Sequence, residues 1–315
     1  MTATAIEIPA YAKFEDPDVT ATGERRAHVY LSDLRTLWIN TGTLCNLTCL
    51  NCYIESSPRN DRLVYISAAE VAAYLDEMGA WPNAREVGFT GGEPFMNPDL
   101  PAMLDDTLGR GLHALVLTNA MKPMMKQSLD LLRLKDRHGD RLKLRISIDH
   151  YSQALHEEER GANTWDKTLA GMRWLAENGF NLDVAGRTRW GEDEAALREG
   201  YRTLFAELGV PVDAGDPERL LLFPEMDPDA PVPEITESCW DKVGVHPDEV
   251  MCASSRMVVK RKGNDRPSVI ACTLLPYDEA FEMGETLTEA SGSVKLNHPH
   301  CAKFCVLGGG SCSKA

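Results

Sequence analysis

The sequence Cys45-Asn46-Leu47-Thr48-Cys49-Leu50-Asn51-Cys52-Tyr53 places three thiols in the spacing CX3CX2C, shortly after the apolar run Leu37-Trp38-Ile39. Thiolates at such short spacing are typical of iron–sulfur clusters and of sites for soft metal ions. A closed structural zinc site takes four ligands, whereas this motif supplies three. A four-iron cluster held here would keep one iron open for another ligand.

A second segment, Gly91-Gly92-Glu93-Pro94, follows about 40 residues after the cysteine motif. Adjacent glycines let the backbone approach another group closely. Together the two segments resemble the radical S-adenosylmethionine (SAM) superfamily. The resemblance implies that Cys45, Cys49 and Cys52 hold a [4Fe–4S] cluster whose open iron binds SAM. It also implies reductive cleavage of SAM to a 5′-deoxyadenosyl radical, which abstracts hydrogen from a substrate.

The alternative is a purely structural role, in which the three cysteines, at i, i+4 and i+7, are buried free thiols on one face of a helix. The segment at Gly91 argues against that alternative. The motif departs from the superfamily at one position. Many members have an aromatic residue near the adenine just before the third cysteine, where this chain has Asn51 and places Tyr53 after the cysteine.

Short β-rich runs alternate with helical patterns, which predicts βαβ units and a parallel sheet. Ser67 and Glu70 form a capping box at the first helix. The predicted strands are Leu37–Asn40, Glu86–Thr90, Ala114–Thr118, Lys143–Ile148, Leu182–Ala185 and Leu220–Phe223. The predicted helices cover about 67–78, 99–110, 124–138, 164–178 and 193–208. Six units are too few for a closed eight-stranded barrel, so we predict an α/β fold with the partial (β/α)6 TIM-like barrel that the resemblance implies.

Polar residues stand at the ends of the predicted strands, where parallel barrels gather their chemistry. Alternation places Ser147 and Asp149 on one side. The resemblance implies that these residues and Asn119 contact SAM, and that Gly91–Pro94 binds its amino group. Arg187 can hold a carboxylate with two hydrogen bonds, so we assign it to SAM's carboxylate. The alternatives are that Asp149 caps a turn and that Arg187 forms a surface salt bridge.

The C-terminal third holds the remaining cysteines, and a predicted hairpin, 257–260 with 268–271, has a thiol near each end. This layout is similar to the SPASM or twitch extension of radical SAM enzymes, which binds auxiliary [4Fe–4S] clusters. A full SPASM set has seven cysteines and this region has six, so we predict one auxiliary cluster. A zinc ribbon is the alternative. The predicted ligands are Cys252, Cys272, Cys301 and Cys312, with Cys305 able to replace Cys301 and Cys239 free near the active site.

The sequence divides into three segments. Residues 1–30 are a lead-in without clear periodicity, residues 31–230 the partial barrel, and residues 231–315 a small α+β auxiliary-cluster domain after a proline-rich linker. The segment before Leu37 is too short for a peptide-recognition domain.

Composition excludes several classes of partner. The 315 residues are 43% hydrophobic and carry 48 acidic against 33 basic side chains, a formal charge of −15, which repels phosphate backbones and argues against nucleic acid. No N-terminal signal and no apolar stretch of ~18 residues stands out. Nine cysteines without a secretion signal indicate metal chemistry in the reducing cytoplasm.

The sequence therefore predicts a radical SAM enzyme acting on a small metabolite, with a peptide-modifying maturase as the alternative. Its other expected partner is an electron donor such as flavodoxin or ferredoxin. A non-catalytic iron–sulfur carrier would saturate each cluster with four cysteines, and a zinc-stabilised module would leave Gly91–Pro94 unexplained. The candidate acid–base or hydrogen-donor groups near the barrel mouth are His150, Glu225, Asp227 and Cys239.

Overall fold

The computed structural model describes residues 12–225 and 231–308. Its strands are β1 His28–Val29, β2 Thr36–Asn40, β3 Glu86–Thr90, β4 His113–Thr118, β5 Leu142–Ser147, β6 Asn181–Arg187, β7 Leu220–Phe223, β8 Ser255–Val259, β9 Ser268–Ile270 and β10 Val294–Lys295. Its α-helices are α1 Ala68–Met78, α2 Leu100–Gly109, α3 Lys122–Lys126, α4 Ser128–His138, α5 Gln153–Arg160, α6 Trp165–Glu177, α7 Glu194–Leu208 and α8 Trp240–Val243.

One sheet of eight strands organises the chain, in the order β7-β6-β5-β4-β3-β2-β8-β9. Strands β2 to β7 are parallel to their neighbours and follow one another in sequence, which confirms the predicted α/β fold with six parallel strands. Strand β9 pairs antiparallel with β8, which confirms the predicted hairpin. The sequence did not predict that this hairpin extends the sheet, where β8 pairs parallel with β2.

Local sequence signals account for the boundaries of several helices. Ser67 caps α1 by accepting from the Glu70 backbone N–H, while the Glu70 carboxylate accepts from the Ser67 N–H at 2.8 Å, which confirms the capping box. Gly209 ends α7 in the left-handed conformation. The single helix predicted over 124–138 is wrong in one respect, because it is divided at Gln127 into α3 and α4.

Helix α5 was not predicted. Its buried face consists of His156 and Glu159 rather than aliphatic residues. An apolar periodicity is the main signal for a helix in a sequence, and this helix lacks one. Glu159, which contacts the cysteine loop, and Arg160, which pairs with Asp149, therefore lie on a helix that the sequence does not predict.

Two apolar layers cover the two faces of the sheet. On one face Leu37 and Ile39 pack with the helices. On the other face Trp38 and Leu115 pack with Met257 and other buried residues of the C-terminal region. The face of the sheet opposite the helices is thus covered largely by residues that follow the parallel strands in sequence.

The lead-in segment packs against the C-terminal region. Strand β1 pairs antiparallel with β10. The guanidinium of Arg26, which is buried, lies 2.6 Å from the carboxylate of Glu234, and that carboxylate also accepts from the backbone of Phe14 and Ala21. The division at residues 30 and 230 remains a prediction. Across 12–225 and 231–308, none of the helices has the length and apolar character that crossing a bilayer requires.

Candidate cluster and cofactor site

The C-terminal ends of the parallel strands surround one cavity. Nine of the residues predicted from the sequence line it: Cys45, Cys49, Cys52, Gly91, Gly92, Asn119, Ser147, Asp149 and Arg187. Their convergence follows from the parallel sheet, which brings the carboxyl ends of all its strands to one edge.

The three thiols of the cysteine motif face this cavity in a largely buried setting. Burial raises the pKa of Cys45 to about 12 and that of Cys49 to about 11. Backbone N–H groups donate to two of the sulfurs, from Leu47 to Cys45 at 3.4 Å and from Ser56 to Cys52 at 3.3 Å. Buried thiols become thiolates when a metal replaces their protons. Three such sulfurs on one loop fit the donor set of a [4Fe–4S] cluster.

The two glycines after β3 pack against the backbone that leads into the cysteine motif. Gly92 donates its N–H to the carbonyl of Gly42 at 2.8 Å. A Cβ on Gly92 would lie 2.2 Å from the carbonyl oxygen of Leu44, and Gly91 has a φ of +133°. The sequence predicts that the glycines let the backbone approach a ligand. In the structure they also allow close approach of the cysteine loop.

The side chain of Glu93 lies behind the cavity rather than in its wall. Its carboxylate accepts from the Thr118 hydroxyl at 2.8 Å, the Asn119 N–H at 2.9 Å and the Phe95 N–H at 3.2 Å. Burial raises the pKa of Glu93 to about 7, and these donors act against that rise. Glu93 thus fastens the end of β4 to the end of β3, while Pro94 begins a short 3₁₀ turn. Their assignment to SAM stays a prediction.

Helix α5 provides an ion pair beside the cavity. The Arg160 Nε lies 2.5 Å from Asp149 Oδ2, and both side chains are nearly buried. Asp149, predicted to reach SAM, therefore has a protein partner in the wall of the cavity.

Glu159 is the second contact from α5 and joins the cysteine loop to β6. Its carboxylate accepts from the Asn51 N–H and from the Asn51 side-chain amide, both at 2.8 Å. Arg187 Nη1 donates to the same carboxylate at 2.8 Å, and Arg189 lies 3.5 Å from it. Asn51, which replaces the aromatic residue of many superfamily members, thus binds a buried carboxylate. Arg187 has a protein partner and still lines the cavity.

The four candidate acid–base groups lie in different places. His150 is buried against Glu192, with 2.5 Å between Nε2 and Oε2, and does not line the cavity. The Oε1 atom of Glu225 lies 3.5 Å from Nη2 of Arg187. Cys239 packs on the apolar layer of the C-terminal region, and Asp227 falls outside the described residues.

The C-terminal cysteines gather around that same apolar layer. Cys252 and Cys301 are buried in it, and Cys239, Cys272 and Cys305 pack against it. Burial raises the pKa of Cys252 to about 11 and that of Cys301 to about 12. Cys312 lies outside the described residues. All eight described cysteines are free of disulfides.

The C-terminal region also supplies one wall of the cavity. Leu274 and Phe304 line it together with Phe223 from the end of β7. The rings of Phe223 and Phe304 stack with 5.7 Å between centroids. The side of the cavity opposite the polar strand ends is therefore apolar.

Comparison with known proteins agrees with this geometry. The model of the radical SAM superfamily matches residues 39–187. Residues 39–187 are a radical SAM domain. The match begins in β2, just before the cysteine motif, and ends at Arg187. It therefore contains the ends of β2 to β6, but not Phe223 at the end of β7.

Two curated relatives are similar to part of this chain. The antilisterial bacteriocin subtilosin biosynthesis protein AlbA of Bacillus subtilis is 31% identical over 143 residues, which is 45% of this chain and 30% of AlbA. GTP 3′,8-cyclase 1 of Mycobacterium tuberculosis is 29% identical over 211 residues, which is 61% of this chain and 55% of the cyclase. The matches thus cover about a third to a half of these relatives.

The fold is similar to that of SuiB from Streptococcus suis. In the structure with bound S-adenosylmethionine, SuiB superposes with a TM-score of 0.58 and 13% identity over 80% of this chain and 63% of SuiB. The structure with its precursor peptide SuiA gives the same TM-score, 14% identity and 81% coverage of this chain. At this identity the likeness concerns the fold.

A pH effect follows from the buried histidine of α5. His156 lies edge-on to Trp165 with centroids 5.3 Å apart, and burial lowers its pKa from 6.5 to about 4. The unfolded chain therefore binds a proton below about pH 6.5 that the folded protein rejects, so the free energy of unfolding falls between pH 6.5 and 4, by up to ~3 kcal/mol. We expect His156→Leu to reduce this loss in urea unfolding at pH 7 and pH 5.

The exposed His113 provides the control for this prediction, and His113→Leu should keep the pH dependence of the wild type. An equal loss of stability on acidification in wild type and His156→Leu would contradict it.

Proposed function

We propose that this protein is a radical SAM enzyme that cleaves S-adenosylmethionine reductively and abstracts hydrogen from a substrate. The single observation that carries the proposal is the convergence of Cys45, Cys49 and Cys52 with the strand-end residues on one cavity. When bound, the cluster would supply the electron that cleaves SAM to methionine and a 5′-deoxyadenosyl radical.

The chain's own residues would hold and orient these groups. The three cysteines would hold the cluster, with the loop fixed by Glu159 and by the glycines after β3. Gly91, Gly92, Asn119, Ser147, Asp149 and Arg187 line the same cavity, where SAM's amino, carboxylate and ribose groups would find hydrogen-bonding partners. The apolar wall of Phe223, Leu274 and Phe304 would exclude water from the reacting atoms.

The substrate in this proposal is a small metabolite. One relative is named for a reaction of GTP, a small molecule. A peptide is the second candidate, because AlbA is named for bacteriocin biosynthesis and SuiB was crystallised with a precursor peptide. Incubating the enzyme with a candidate of either class would show which class donates the hydrogen atom that is transferred to 5′-deoxyadenosine.

We further propose that the C-terminal cysteines hold one auxiliary [4Fe–4S] cluster and that the protein works in the reducing cytoplasm. The described candidate ligands Cys252, Cys272, Cys301 and Cys305 belong to one apolar layer, which supports the cluster. Burial disfavours the thiolates of Cys252 and Cys301, and iron binding would offset that cost. The iron and sulfide content of reconstituted protein would distinguish one cluster from two, and iron from zinc.

The decisive test is anaerobic. Protein reconstituted with iron and sulfide is mixed with dithionite and SAM, and 5′-deoxyadenosine is quantified. We expect product from the wild type and a loss of at least about 100-fold from Cys45→Ala, Cys49→Ala or Cys52→Ala, because each removes a cluster ligand. Leu50→Ala, at an exposed side chain of the same loop, is the matched control and should retain product formation. Absence of product while the cluster is intact would refute the proposal.

A further inference from the structure

A second cavity borders the cysteine motif. Its volume is about 910 Å³, and residues 46–48, which join Cys45 to Cys49, form part of its wall. It is distinct from the first cavity, whose lining includes the cysteines themselves. The backbone between two predicted cluster ligands therefore separates the cluster site from this depression.

The charge of this cavity is opposite to that of the chain. Among the described residues that line it, Lys122, Lys126, Lys167 and Arg160 are basic and none is acidic. The whole chain has 48 acidic and 33 basic residues, so a basic lining without acids runs against its composition. We call the surface formed by these four residues the basic depression.

The lysines of the basic depression are available to a partner. Lys122, Lys126 and Lys167 are exposed, and none of them is in a salt bridge with another residue in the described parts of the chain. Arg160 differs, because it is held by Asp149. Three exposed cations without counter-ions attract an anionic surface more strongly than paired ones do.

A short chain of contacts connects the basic depression to the cysteine motif. The Asn46 side-chain amide lies 3.9 Å from the sulfur of Met121, the residue before Lys122. Asn119 donates its side-chain amide to Asn46 Oδ1 at 2.9 Å. Asn46 directly follows Cys45, so the basic depression borders the loop that carries the predicted cluster ligands.

We propose that the basic depression docks a small acidic electron-transfer protein of the flavodoxin or ferredoxin kind. The inference rests on the proposed function, in which the cluster must be reduced from outside. In the docked complex one electron passes from the reduced donor, which is oxidised, to the cluster, which is reduced, and no bond is made or broken. The loop 46–48 is the protein layer between the two redox centres.

The charge distribution explains why an acidic donor would bind here. A net charge of −15 repels such a protein over most of the surface, so the basic depression is the favourable approach. Complexes of redox proteins bury little area and depend on electrostatic steering. Their association therefore weakens as salt screens the charges.

The test reverses the charges of the three exposed lysines in one combined variant, Lys122→Glu, Lys126→Glu and Lys167→Glu. Reduction of the reconstituted cluster is followed by bleaching of its visible absorption, with either reduced flavodoxin or dithionite as donor. We expect flavodoxin-driven reduction to slow by at least about tenfold and dithionite-driven reduction to be unchanged. Calorimetry should show the association with flavodoxin weakened by a similar factor.

The matched control carries the same change in net charge at other exposed sites, Arg85→Glu, Arg173→Glu and Lys242→Glu. It should keep flavodoxin-driven reduction within about twofold of wild type, because its substitutions lie away from the cysteine loop. Equal loss in both variants, or no loss in the lysine variant, would overturn the docking site.

Two further readouts keep the outcome clear. Wild-type association with flavodoxin must weaken between low and high salt, and a salt-independent association would overturn the proposal even if the lysine variant failed to fold. Formation of 5′-deoxyadenosine with dithionite tests the proposed function separately. If an acidic peptide substrate bound to these lysines while donor-driven reduction stayed unaffected, the proposal would be overturned. The lysines would then form a substrate surface.

Discussion

Replacement of Glu159 by alanine is expected to lower the free energy of unfolding by about 3–5 kcal/mol. Glu159 is 2% exposed, and its carboxylate accepts from the backbone and side chain of Asn51 and from Arg187. Alanine would leave these buried donors unpaired, and unpaired buried groups cost far more than a lost surface contact. Urea unfolding of the two proteins measures the difference.

The same substitution is expected to affect the cluster site. Asn51 lies between Cys49 and Cys52, so the loss of its partner frees the loop that carries the thiols. We expect a lower iron content after reconstitution of Glu159→Ala. The neighbouring Glu158 is exposed, with a 3.3 Å hydrogen bond to Trp190, and Glu158→Ala should change neither quantity appreciably. Normal stability and normal iron content in Glu159→Ala would show that this contact is dispensable.

Gly92→Ala is expected to disrupt the packing of the cysteine loop against the segment that follows β3. A Cβ at Gly92 would lie 2.2 Å from the oxygen of Leu44 and 2.8 Å from that of Thr43. These are backbone atoms, which cannot move away as the end of a flexible side chain can. We expect a loss of about 3 kcal/mol in the free energy of unfolding, together with reduced iron loading, as measured by chemical unfolding and iron analysis.

Gly109 offers a matched control for this prediction. It ends α2, and a Cβ there would meet no atom within 4 Å. Gly109→Ala should therefore be neutral or raise the free energy of unfolding by up to ~1 kcal/mol. If Gly92→Ala were as stable as Gly109→Ala and bound as much iron, the close packing of β3 on the cysteine loop would have no energetic role.

The sequence was most informative where local chemistry and periodicity agree. The six parallel strands, the capping box at Ser67 and the placement of Asn119, Ser147 and Arg187 at one edge follow from patterns that act over a few residues. The edge itself follows from the parallel sheet, since all strand ends then point the same way. The site could therefore be located from strand order and polar strand ends alone.

Contacts between distant segments were not predictable in this way. The apolar face that usually reveals a helix is replaced in α5 by His156 and Glu159, so the partners of Asn51 and Asp149 stayed hidden. The pairing of β8 with β2 joins segments about 220 residues apart, and nothing in either strand specifies the other. The short apolar run 257–259 in β8 indicates burial without indicating which neighbour buries it.

The strand β8 inserted beside β2 makes the C-terminal third an integral part of the molecule rather than a detachable module. A fragment ending near residue 225 would leave β2 as an edge strand, with unpaired backbone amides beside the uncovered indole of Trp38. Unprotected edge strands pair with other chains and cause aggregation. Replacing the C-terminal third with that of another enzyme would therefore require matching the strand pairing between β8 and β2 as well as the cysteines.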